Sequence, residues 1–106
     1  MALAAELDAE DPLRAVALRL HAYVLDQQDK PLDAARAYEE AATVTAYLSR
    51  PLLLISAGEA FARGGDPESA IRVYQRAVAA APDLAERSGI LDRITALELV
   101  ALAEPS

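Results

Sequence analysis

Between Gly65 and Asp83 the chain reads GDPESAIRVYQRAVAAAPD. It begins with turn chemistry: glycine ends one element, Asp66 caps the next, and Pro67 fits its first helical position. Ala70, Tyr74 and Ala77 then recur at helical spacing, and Pro82 stops the run. The arrangement has an earlier copy. DKPLDAARAYEEA, Asp29–Ala41, aligns with GDPESAIRVYQRA, Gly65–Ala77, at a constant offset of 36 residues. Pro31 falls on Pro67, Ala34 on Ala70, Arg36 on Arg72, Tyr38 on Tyr74 and Ala41 on Ala77. Self-similarity at such a period predicts stacked helical hairpins, and an unrelated helical bundle does not explain it readily.

The same punctuation runs outward from this stretch. Asp11-Pro12 starts a helix carrying Leu13, Val16, Leu18, Leu20, Val24 and Leu25 to about Gln28. Asp29–Pro31 breaks it and opens a second helix, predicted to reach about Leu48. Ser49–Pro51 precedes a third over about Leu52–Arg63, and Gly64–Pro67 a fourth to about Ala80. Ala81–Asp83 precedes a fifth over about Leu84–Ala103, with Ile90, Ile94, Leu97 and Val100 as an apolar stripe. The prediction is an all-α chain of about five helices with short turns. Three charged pairs at i,i+4 are expected along single helices: Arg36 with Glu40, Glu59 with Arg63, and Glu68 with Arg72.

Composition agrees. Alanine supplies 25 of the 106 residues, aromatics 5%, and tryptophan is absent. Alanine is the best helix former, and its small side chain allows close helix contacts. The net charge is −7, so the chain lacks the basic surface that captures nucleic acid or anionic membranes. Without cysteine, thiol chemistry, disulfides and cysteine-based zinc sites are excluded. No stretch approaches the ~20 apolar residues of a membrane span. MALAAELDAEDP lacks the basic start of a signal peptide, so a cytoplasmic or periplasmic place is expected. Many alanines and arginines beside one lysine, Lys30, suggest a GC-rich bacterial source.

The repeated pattern resembles the tetratricopeptide repeat, a helix–turn–helix unit of about 34 residues. In the unit 51–84, Leu54, Ala57, Gly58, Phe61, Ala70, Tyr74, Ala77 and Pro82 occupy its signature positions. Gly58, Ala70 and Ala77 are the small residues that let two helices approach, with Phe61 and Tyr74 filling the space beside them. In the unit 15–48, Leu18, Ala22, Leu25, Ala34, Tyr38 and Ala41 fit. His21 stands at an ordinarily apolar position, Ala46 replaces the expected proline, and Ser49-Arg50 is an insertion. Residues 1–14 are expected to form an N-terminal cap or partial repeat, and 85–106 a capping helix exposed to solvent. The resemblance implies a right-handed α-solenoid whose first helices line a concave groove. Carried over by position, the groove is Val16, Arg19, Tyr23, Asp26 and Gln27, then Leu52, Ile55, Glu59 and Arg63, with Arg93 from the last helix. The family's clamp for a terminal carboxylate is not expected, because Tyr23 stands where asparagine is required and the needed lysines are missing.

Little points to catalysis. His21 is the one histidine, no serine or threonine has a base at a telling spacing, and Gly64-Gly65 lacks the rest of a phosphate loop. No metal or cofactor is expected, and no enzyme. The function implied is a non-catalytic adaptor or scaffold that grips a peptide or helix of another protein. The alternative is an assembly module of a larger bacterial complex, dimerising through the groove or the last helix.

Overall fold

The computed structural model describes residues 10–44 and 49–103. The described residues form six helices and no strand. They are α1 (Pro12–Gln27), α2 (Pro31–Ala41), α3 (Arg50–Arg63), α4 (Pro67–Ala80), α5 (Pro82–Arg87) and α6 (Ile90–Ala103). The main packing follows chain order: α1 on α2, α2 on α3, α3 on α4, and α4 on α6, with short α5 touching α4 and α6. The molecule measures 43 × 31 × 20 Å. The expected N-terminal cap lies largely outside the described residues, as does Ala46.

Proline stands in the first turn of α1 to α5, as the sequence predicts, and aspartate caps two of these helices, α1 and α4. The Asp11 carboxylate accepts from the Leu13 amide at 2.9 Å, and the Asp66 carboxylate from that of Ser69 at 3.2 Å. Each satisfies an amide that the first helical turn leaves without a partner.

The two copies of the repeat share one turn. Gln28 and Gly64 end α1 and α3 with φ,ψ of −85°, 8° and −80°, 0°. Asp29 and Gly65 follow in the left-handed region, at φ 61° and 81°. Lys30 and Asp66 come next at −119°, 66° and −117°, 75°. The Lys30 amide donates to Leu25 O at 3.0 Å and the Asp66 amide to Phe61 O at 2.9 Å, closing both helix ends alike. The offset read from side chains is therefore also an offset in backbone conformation.

Two predicted helices are corrected. The fifth is two helices, because Gly89 takes φ 72° and Ser88 Oγ donates to Leu84 O at 2.6 Å. A left-handed residue cannot continue an α-helix, whatever the apolar spacing around it. The second ends at Ala41, well before Leu48. There Thr43 Oγ1 donates to Glu40 O at 2.6 Å, and the Arg50 Nε donates to Ala42 O. The β-branched Thr43 and Val44 favour leaving the helix, and Val44 is fully buried after it.

The core is built on alanine contacts. Ala22, Ala34, Ala35, Ala41, Ala57, Ala60 and Ala70 are completely buried, around Leu54, Phe61, Val73, Tyr74 and Ile90. Full burial of a large apolar side chain is worth about 1.5–3 kcal/mol. Gly58 is needed for that packing: a Cβ there would lie 2.6 Å from Tyr74 Cδ1. Arg72 lies over the Phe61 ring, 6.0 Å from its centre.

Candidate functional site

The residues proposed for a groove come from α1, α3 and α6. Helical spacing brings Arg19, Tyr23 and Asp26 to one side of α1, and Glu59 and Arg63 to one side of α3. Two ion pairs tie these helices together. Arg63 Nη2 donates to Asp26 Oδ1 at 2.8 Å, linking α3 to α1, and Arg93 Nη1 donates to Glu59 Oε1 at 2.8 Å, linking α6 to α3. On the other side of the molecule, Glu39 of α2 accepts from Arg72 and Arg76 of α4.

The three charged pairs expected along single helices do not form. Arg63 reaches Asp26, Arg72 reaches Glu39, and Arg36 takes Asp33 at 3.2 Å. Arg63 and Arg72 thus cross to a neighbouring helix. Glu40 is joined to Arg14 of α1 at 2.8 Å.

Two cavities open on this face. The first, about 390 Å³, lies among α1, α2 and α3 and is lined by Arg19, Leu20, Tyr23, Tyr38 and Ser56. The second, about 430 Å³, lies among α3, α4 and α6, with Glu59, Arg63, Tyr74, Arg93 and Leu97 on its walls. Tyr38 and Tyr74 are the two repeat tyrosines, 36 residues apart. One cavity therefore stands at each junction between a hairpin and the helix that follows it, with the equivalent tyrosine on its wall.

Both phenols are held neutral. Burial pushes the Tyr38 hydroxyl above its ordinary pKa, and the charge of Asp26 adds to this while Arg63 and Arg19 oppose it. Burial likewise raises Tyr74, against a hydrogen bond to Arg93 that lowers it. The Arg93 guanidinium is held more firmly charged by its hydrogen bonds to Glu59 and Tyr74.

The structure brings together Arg19 with Tyr23, Asp26 with Arg63, and Glu59 with Arg93. Tyr23 is 56% exposed and Leu52 50%, each large enough to anchor a partner. Val16 is half-buried and Gln27 exposed. Ile55 instead turns into the core beside Leu54. Tyr38, Ser56, Tyr74 and Leu97 line the cavities without having been assigned to the face. The tyrosines were legible only as packing residues; their common offset was the available signal that they play one role twice.

Among the described residues, no group of three or more His, Asp or Glu is placed to hold a metal ion. No described helix is long and apolar enough to cross a membrane. Compared with known proteins, the chain matches no family model, no curated protein and no solved structure.

Proposed function

We propose that this chain is a non-catalytic protein-binding module, a right-handed α-solenoid of two tetratricopeptide-like hairpins that holds a peptide or helix on its α1–α3–α6 face. The observation that carries the proposal is the recurrence of a cavity with an equivalent tyrosine at successive junctions on one side of the molecule. A ligand with side chains at regular spacing meets the same kind of recess twice. The shared turn conformation and the ion pairs between successive first helices support the repeat architecture. The acids beside the cavities, Asp26 and Glu59, are engaged by arginines, which suits recognition better than proton transfer.

The test is to select peptides against the immobilised protein and measure their affinity by calorimetry. Tyr23→Ala is expected to weaken a selected peptide about tenfold or more, as loss of an interface anchor does. Its circular dichroism should be unchanged, since Tyr23 is exposed. Selected peptides that ignore this change, or whose amide shifts map to α2 and α4, would end the proposal.

Self-assembly is the second function, favoured by apolar side chains left exposed on α6. The stripe expected to supply it does not do so as a unit: Ile90 and Ile94 face the core, and Leu97 packs against it.

A further inference from the structure

The two recesses of the α1–α3–α6 face share a tyrosine, and they differ in charge. Five of the groove residues are charged: Arg19, Asp26, Glu59, Arg63 and Arg93. Arg63 takes Asp26 and Arg93 takes Glu59, each at 2.8 Å. Arg19 belongs to no ion pair among the described residues. The groove residues thus keep one uncompensated positive charge, on a chain whose net charge is −7.

Arg19 stands on the wall of the α1–α2–α3 cavity with Leu20, Tyr23, Tyr38 and Ser56. The last three carry hydroxyls that can donate a hydrogen bond. Burial and Asp26 raise the Tyr38 pKa, Arg63 and Arg19 lower it, and Glu59 adds a smaller push upward. Of these charges, Asp26 and Arg63 satisfy each other and Glu59 is held by Arg93, so Arg19 is the unopposed one beside the phenol. The second recess is built otherwise. At the 36-residue offset Glu59 stands where the first has Tyr23, so its wall carries an acid. Both of its arginines are engaged, and Ala62, Ala96 and Leu97 complete the wall. An anion entering here meets Glu59 and must displace it from Arg93; an apolar side chain meets no such cost.

We infer that the partner of this face is a peptide segment that places an acidic side chain in the first recess, against Arg19, and an apolar side chain in the second. A carboxylate brings the one negative charge that Arg19 lacks, and it accepts from the hydroxyls beside it. Both recesses present the equivalent tyrosine, so a segment running across them offers a side chain to each. The acid is therefore an Asp or Glu within the segment, not the end of a chain. A lysine or arginine in its place is repelled by Arg19. The inference rests on the peptide-binding reading above and states the chemistry of that peptide.

Peptides selected from a random library against the full chain test it by calorimetry. They are expected to share an acidic residue and an apolar one at a fixed spacing, and to bind alike with a free or an amidated C-terminus. Replacing the acid by its amide counterpart is expected to weaken binding about fivefold, the upper range for a solvent-accessible ion pair. The same replacement should have little effect on Arg19→Ala, and Arg19→Glu should prefer a peptide with lysine at that place. Arg19 is exposed, so helicity is expected to stay unchanged in both variants. Ala96→Glu sets a second acid on the wall of the other recess and is expected to weaken the peptides severalfold without altering their preference for the acid; no loss there overturns the apolar half of the inference. Peptides that need Tyr23 but carry no acid, or whose acid is indifferent to Arg19, overturn the inference and leave the peptide-binding reading standing. So do peptides that require a free C-terminal carboxylate. If no peptide is selected, or those selected ignore Tyr23→Ala, both readings fall.

Discussion

The α1–α2 and α3–α4 hairpins have the same turn, and they are not equally well made. In α3–α4 the left-handed residue is Gly65; in α1–α2 it is Asp29, which must tolerate φ 61° with a side chain. Asp66 caps α4 through its carboxylate, whereas Lys30 at the equivalent place gives α2 no side-chain bond. The residue that faces the repeat tyrosine differs as well. Gly58 leaves room for Tyr74, which is 2% exposed. Its counterpart at the 36-residue offset is Ala22, which carries a methyl group where Gly58 has none, and Tyr38 remains half-buried. The lesson is that the repeat geometry is set by the turn and the small positions, while stability depends on residues that need not recur. We expect α1–α2 to be the weaker hairpin.

The largest test of this contrast is the pair of tyrosines. Tyr74→Ala should cost about 3–5 kcal/mol, the range for a fully buried aromatic. Tyr38→Ala should cost less than half as much by urea denaturation; equal losses would erase the difference between the hairpins. Next comes the small position. Gly58→Leu forces Tyr74 out of place and should cost about 1–3 kcal/mol by overpacking, as should Ala70→Leu. Unchanged stability in both would remove the close contact from the account. The smallest effect is at the cap. Lys30→Asp gives α2 the carboxylate that α4 already has and should stabilise by about 0.5–1 kcal/mol. The change should appear as slower amide exchange in the first turn of α2, and no change there would mean that this end is satisfied by other means.

Much of this was legible from punctuation. Asp-Pro and Gly-Asp-Pro marked helix starts because capping and the fixed φ of proline are local effects. The break at Ser88-Gly89 was not, since Ile90, Ile94 and Leu97 continue an apolar period that a single left-handed glycine interrupts without altering. Nor was the end of α2, where the fall in helix preference at Thr43 and Val44 is modest. On the face, Asp26, Glu59, Arg63 and Arg93 could be placed by register, because positions one unit apart come together. Their partners could not, because an arginine selects among acids by reach across helices. Ile55 was assigned to the groove by its position in the repeat that the sequence resembles. In the structure α3 is covered by α2 on one side and α4 on the other, so it buries a wider arc than one groove-lining helix would.

The direct charge links between neighbouring units have a consequence for how the chain finds its fold. The longest of them, Asp26 to Arg63 and Glu39 to Arg76, span 37 residues. Folding therefore need not close a loop much longer than one repeat before packing rewards it, and loop closure is the entropic step that slows proteins rich in distant contacts. Assembly can spread from one hairpin to the next like a zipper, and the better-made turn at Gly65 is the natural place for it to begin.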